Sequence, residues 1–272
     1  MTATTVLAAG VALLGSLLFA LGAAVQQYEA VRAERPGLTA LVRRPRWLLG
    51  GVSIAAGGVL HILALSLGPL TIVQPMGVAS LLFALPIAAA LHGRKPARGE
   101  LAAAAVVSSG LIGLVLIVPA PTGSPSLSTP DAVILLGVAA LVALMLWGAA
   151  RGANPSWRAG LLAMSAGVLY GAAATLTRVL VDGAWEWWFL LALPAPLLIA
   201  LALLQRAYAV GHFGVSFATL QLADPLTAIA FGALLLDEPL PTGLTGTVTA
   251  AVAAVLTAAG TFALARTTPL TR

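Results

Sequence analysis

No cysteine occurs among the 272 residues, and only 8% of them are charged. The first absence removes disulfide frameworks, thiolate metal sites and thiol catalysis. The second excludes a soluble globular domain, in which about a quarter of residues carry charge. Histidine is scarce, at 3 residues, and the chain has no H-E-x-x-H, G-x-S-x-G or Walker-type phosphate loop. Carboxylates clustered for phosphoryl or prenyl transfer are missing too. The chain is therefore read as no enzyme, with no cofactor. Without an ATPase motif, any transport has to run on a gradient, on exchange or on the solute itself.

What remains is apolar: 60% of residues are hydrophobic and the mean hydropathy is +1.02. A membrane-crossing helix needs about 20 predominantly apolar residues. Runs of that kind cover 5–30, 47–67, 70–92, 101–118, 131–150, 159–181, 187–206, 213–236 and 244–265. Open sheets cannot satisfy their edges in lipid, and barrel strands would show alternation rather than unbroken runs. The expected fold is all-α, a polytopic bundle of nine crossings in the plasma (inner) membrane.

The few charges encode orientation. If the N-terminus lies outside, 13 of the 14 basic residues fall in inner loops or the inner C-terminus, and Arg178 is the exception. The opposite loops carry Asp131, Asp182, Glu186, Asp237 and Glu238. Short-loop Lys/Arg bias sets topology, so the N-terminus is expected outside and the C-terminus inside. The net charge of +5 sits beside helix ends without any nucleic-acid-binding pattern, which points to anionic lipid headgroups and away from nucleic acid.

A shift of 143 residues superimposes 47–118 on 190–261 without a gap, carrying Gly68 onto Gly211 and Pro96 onto Pro239. The loop Arg94-Lys95-Pro96 falls on Asp237-Glu238-Pro239, so a basic turn matches an acidic one. Displacement by an odd number of crossings inverts the second unit. The expected organisation is 4+1+4: a first repeat over 1–118, a linker with the fifth helix over 119–150, and an inverted repeat over 151–272. Inverted repeats characterise alternating-access carriers, whose site lies near the midplane between the halves.

The stretch RRPRWLLGGVSIAAGGVLHILALSLGPLTIVQPMGVASLLFALPIAAALHG (43–93) resembles the drug/metabolite transporter superfamily, particularly its NIPA-type magnesium transporter branch. LQLADPLTAIAFGALLLDEPLP (220–241) resembles the end of an EamA domain, with Asp237-Glu238-Pro239 in place of a Gly-Glu-Arg turn. The resemblance implies two inverted repeats moving a small solute by alternating access.

Ionisable groups within a membrane helix are costly and mark function by default. Asp224 lies midway along the eighth run and is followed by Pro225, where the helix is expected to kink or break and free carbonyls beside a carboxylate. Such a site suits a cation, an amine or a proton. Gln221 shares its face one turn earlier. Arg178 could meet an anionic group, pair with Asp224, or snorkel outward to Asp182. His61 is a candidate relay or ligand, or a packed core residue, and Gln74 opens the third run beside Pro75. Gln26, ahead of Glu29 and its expected partner Arg32, can point inward. Tyr170 lies between Gly167 and Gly171, whose spacing favours close helix contact. Trp47, Trp157, Trp185, Trp187 and Trp188 read as interfacial anchors.

Three functions are compatible with these residues. The first is a secondary carrier of a small organic solute, with Asp224 as counter-ion or proton site. The second is a Mg²⁺ carrier with Asp224 as metal ligand, and the third a non-transporting membrane scaffold or subunit. The protein is expected to act as a monomer or homodimer.

Overall fold

The computed structural model describes residues 3–33, 37–68, 70–118, 125–182, 186–240 and 243–267. Twelve helices follow one another: α1 (Ala3–Val31), α2 (Leu38–Leu41), α3 (Pro45–Leu67), α4 (Leu70–Val78), α5 (Ser80–Leu91), α6 (Arg98–Ile117), α7 (Thr129–Ala150), α8 (Pro155–Asp182), α9 (Trp187–Ala192), α10 (Pro194–Ala209), α11 (Phe213–Leu235) and α12 (Gly243–Thr267). Among the described residues, 8 helical segments are long and apolar enough to cross a membrane, α9 and α10 counting together as one.

Helix ends follow local chemistry. Pro45 opens α3, where its missing N–H has no helical partner to lose. Ser128 caps α7 by accepting from the Asp131 N–H at 3.3 Å, and Asn154 does the same for Trp157 at the start of α8, at 3.1 Å. Glu100 in the first turn of α6 accepts from the Ala97 N–H at 2.8 Å, and Arg94 clamps the same carboxylate at 2.7 and 3.0 Å. At the end of α5, Gly93 takes a left-handed φ of 69°, which lets the Arg94 N–H reach back to the Ala89 carbonyl at 2.9 Å.

The bundle is polarised as a lipid-solvated protein would be. Its core is rich in alanine and glycine, while large apolar side chains face outward. Leu49, Val52, Val59 and Ile62 form an exposed stripe along α3. The opposite face of α3 carries Gly50 and Gly57, which meet Gly22 and Gly15 of α1. A Cβ on Gly57 would lie 2.6 Å from the Gly15 carbonyl oxygen, and one on Gly50 2.9 Å from that of Gly22. Small residues at this spacing let two backbones touch, which replaces the hydrophobic drive that lipid cannot supply. The pair α6 and α12 uses the same device: a Cβ on Gly260 would come within 2.8 Å of the Val107 nitrogen. Helix α8 is the axis, with 72% of its apolar window buried against 39% for α1. It packs on α7, α10 and α11, while α1 packs on α3, α4 and α5.

Two expectations are corrected here. The run 70–92 is not one helix: α4 ends at Val78 and α5 begins at Ser80, with a tight Ala79 N–H to Met76 carbonyl bond of 3.2 Å between them. Pro75 and Pro86 each remove a ladder donor on either side of that joint. Conversely, α11 does not break at Asp224-Pro225 but continues to Leu235. Buried helices tolerate an interior proline when neighbouring helices hold the segment, and α8 does so here.

Candidate functional site

The joint between α4 and α5 draws polar groups from α1 and α11. Ser16 of α1 donates to the Met76 carbonyl at 2.6 Å and stays within 2.9 Å of the Ala12 carbonyl. Ser80, 2% exposed at the first position of α5, accepts from Gln221 Nε2 at 2.9 Å. One turn further along α11 stands Asp224. Its side chain is half-buried and makes no hydrogen bond or ion pair among the described residues.

The backbone beneath Asp224 rests on the glycines of α8. A Cβ on Gly171 would sit 2.5 Å from the Asp224 carbonyl oxygen, and one on Gly167 3.1 Å from its nitrogen. Tyr170, between those glycines, is half-buried and within electrostatic reach of Asp224, with Tyr208 of α10 next in line. Tyr208 is fully buried and begins an aromatic series: its ring lies 5.5 Å from Phe213, Phe213 lies 5.4 Å from Phe217, and Phe217 lies 6.1 Å from Phe19 of α1. The Asp224 backbone thus lies where α8 and α11 touch, with the α4–α5 joint one turn away through Gln221.

Polar contacts bracket this region. Toward the C-terminal end of α1, Trp47 Nε1 donates to Gln205 Oε1 at 3.0 Å, and Gln205 Nε2 donates to Gln26 Oε1 at 3.0 Å. All three side chains are buried, and they tie α3, α10 and α1 together. Beside them Gln27 Oε1 lies 3.0 Å from His92 Nε2. Toward the other end, Arg178 of α8 forms an ion pair with Glu238 in the turn after α11. Asp237, at a left-handed φ of 52°, reverses the chain there, and the Glu238 N–H bonds the Gly232 carbonyl at 3.1 Å. Gly232 leaves the space that the Glu238 carboxylate occupies.

The sequence-derived candidates therefore separate. Asp224 and Tyr170 meet at the α8–α11 contact and Gln221 turns to Ser80 of α5 one turn away, whereas Gln26 belongs to the buried network near the basic end. Arg178 turns to Glu238 rather than to Asp224, and the side chain of Asp182 lies outside the described residues. His61 stands over Gly77 of α4, where a Cβ would be 3.1 Å from its Cε1. Gln74 is on α4, and its side chain lies outside the described residues, as does Trp185. Glu29 pairs with Arg44 at 3.0 Å rather than with Arg32, which instead lies 3.9 Å over the Tyr28 ring. Trp47 is not an interfacial anchor: it is 5% exposed and hydrogen-bonded to Gln205. Ser16, Ser80 and Gln205 escaped sequence reading, since single polar residues in an apolar run carry no periodic signal. Among the described residues no three His, Asp or Glu side chains gather as a metal cluster.

No family model matches the chain, and no solved structure matches it. It is similar, at 26% identity over 277 aligned residues, to an uncharacterised protein of Corynebacterium glutamicum, the match spanning 95% of this chain and 94% of that one.

Proposed function

We propose that the chain is a secondary membrane transporter of a small organic solute, working by alternating access, with Asp224 holding the cationic group of the solute or a coupling proton. The observation that carries this reading is the Asp224 carboxylate itself: within an apolar bundle it has no counter-ion among the described residues, while other buried polar groups nearby are paired. A group left unpaired at such cost is open to a ligand. Tyr170 lies within electrostatic reach of it, and Gln221, one turn away on α11, is bonded to Ser80. The ion pair Arg178–Glu238 at one end and the Trp47–Gln205–Gln26 chain at the other are the contacts that would open alternately.

The same proposal counts α4 and α5 as one crossing, because 22 residues at 1.5 Å each reach about 33 Å. That gives nine spans, N-terminus outside and C-terminus inside, in the plasma membrane. Support for two inverted four-helix halves comes from matching partners: α1 packs on α3 and α5, α8 on α10 and α11, and the closing helices α6 and α12 on each other. Membership of the drug/metabolite transporter superfamily belongs to this proposal and rests on the resemblance of segments 43–93 and 220–241.

A Mg²⁺ cargo is a second reading, favoured by one feature. Arg178 is neutralised by Glu238, so it does not repel a dication from Asp224. Magnesium keeps several waters and needs only one or two carboxylates.

Reconstituted protein in liposomes, challenged with organic amines, other small solutes and Mg²⁺ under an imposed pH gradient, tests both. Solute uptake that falls about tenfold in Asp224→Asn, the effect of losing roughly 1.4 kcal/mol of binding, supports the first reading. Magnesium-specific flux with the same dependence supports the second. Undiminished transport by Asp224→Asn refutes the assignment, and silence across the panel favours a scaffold.

A further inference from the structure

A second site lies away from Asp224, at the end of the bundle where α7 and α10 finish and α8 begins. A cavity of about 500 Å³ there is lined by Arg151, Arg158 and Arg206, together with Trp147 and Pro155. No acidic residue lines it, and none of the three guanidinium groups has a carboxylate partner among the described residues. The contrast is local, since Arg44 and Arg94 at the same end of the molecule are paired with Glu29 and Glu100. Arg151 stacks 3.7 Å over the Trp147 ring, which fixes the plane of its guanidinium and leaves the N–H edge free.

A second cavity of about 540 Å³ continues from the first. The two share Trp147 and Arg206, and the second is lined otherwise by apolar side chains, including Leu144, Leu198, Ile199 and Leu203. Helices α7 and α10 both lean on α8, and this groove runs between them with Leu169 of α8 along it. Leu198 precedes Arg206 by two helical turns, so the groove extends roughly 12 Å toward the middle of the bundle. Leu144, Leu198 and Ile199 are exposed, so the groove faces outward, where acyl chains lie.

We infer that these joined cavities form a binding site for one anionic phospholipid, its phosphate held by Arg151, Arg158 and Arg206 and an acyl chain laid in the α7–α10 groove. Guanidinium groups grip phosphate through paired N–H donors, and basic recesses between membrane helices select acidic headgroups. A soluble anion would use the arginines but not the groove. A zwitterionic lipid would use the groove but leave the positive charge uncompensated. The site is independent of the transport reading.

Purified full-length protein in a neutral detergent, titrated with dioleoyl phosphatidylglycerol, dioleoyl phosphatidylcholine or glycerol 3-phosphate, provides the test. Bound species are counted by native mass spectrometry and stabilisation is followed as melting temperature. Phosphatidylglycerol is expected to bind about tenfold tighter than phosphatidylcholine, and to lose about tenfold in Arg151→Gln/Arg158→Gln/Arg206→Gln. The three single variants carry the same test if the triple variant fails to fold, each losing about twofold. Ala140→Trp, which fills the groove from its exposed edge, is expected to weaken phosphatidylglycerol but leave glycerol 3-phosphate unchanged. The control Arg43→Gln/Arg46→Gln/Arg98→Gln removes as much charge elsewhere and should bind as the wild type does. Equal binding of the two lipids, an equal loss in the control, or glycerol 3-phosphate binding as tightly as phosphatidylglycerol overturns the inference, the last by assigning the site to a soluble anion.

Discussion

Replacing Asp224 by Asn decides whether that carboxylate serves the fold or a cargo. A charged side chain at the centre of a membrane helix costs about 2.5–3.5 kcal/mol on insertion. Structural carboxylates recover the cost through partners, and stripping one partner from a buried ion pair destabilises by ~3–5 kcal/mol. Asp224 has no such partner among the described residues, so removing its charge strands nothing. Asn is nearly isosteric and leaves the close backbone contacts with Gly167 and Gly171 as they are. The side chain is only half-buried, so part of the penalty is already relieved. The expected outcome is a gain in stability of about 1 kcal/mol, with the insertion cost of roughly 2.5–3.5 kcal/mol as a ceiling. Unfolding of wild type and variant in mixed micelles, titrated with a denaturing detergent and followed by far-ultraviolet circular dichroism, measures it without any knowledge of the cargo. A loss greater than ~1 kcal/mol refutes the reasoning, because it would mean that the ionised group holds the bundle together.

Further predictions concern the contacts around the site. Gly22→Ala would bring a Cβ to 2.9 Å from the Ile54 nitrogen and closer still to the Gly50 carbonyl, so it should cost about 1–3 kcal/mol in the same unfolding assay. Gly58→Ala, on α3 with nothing within 4 Å, should be neutral or stabilising by up to ~1 kcal/mol. Gln205→Leu leaves Trp47 Nε1 and Gln26 Oε1 unpaired; hydrogen bonds between membrane helices average about 0.6 kcal/mol, so a loss of roughly 1–2 kcal/mol is expected in the same unfolding assay. A double-mutant cycle on Arg178→Gln and Glu238→Gln should return a coupling of about 1 kcal/mol, the upper range for exposed pairs, since both side chains are mostly covered. A coupling near zero would remove that pair from the closing contacts.

Most of the helices could be read from the chain because unbroken apolar runs report the solvent, and the solvent leaves the backbone little choice. Glycine contacts were legible for a similar reason: Gly167 and Gly171, four residues apart, put two gaps on one helix face. The joint at Ala79 was not legible. Pro75 and Pro86 straddle it, and the joint is held by tertiary partners, Ser16 and Gln221, that lie far away in sequence. The partner of Arg178 was hidden too, because only the left-handed Asp237 carries Glu238 back over Gly232. Trp47 matched the composition of an interfacial belt, and nothing near it announced a glutamine 158 residues later. The matched pair Gly68 and Gly211 shows the limit of punctuation: Gly68 is extended at φ −153°, whereas Gly211 is left-handed at φ 95°.

The contact between α6 and α12 has a bearing on how the protein is made. α6 is complete at Ile117, but the helix that fills its glycine face at Gly110 begins only at Gly243 and ends at Thr267. At a synthesis rate of roughly 5–20 residues per second, α6 stands in the bilayer for about 8–30 s before its partner is complete. During that interval lipid or an insertion factor has to cover the seam. A nascent chain stalled after α11 would leave it open, so the seam on α6 closes only when α12 has been made.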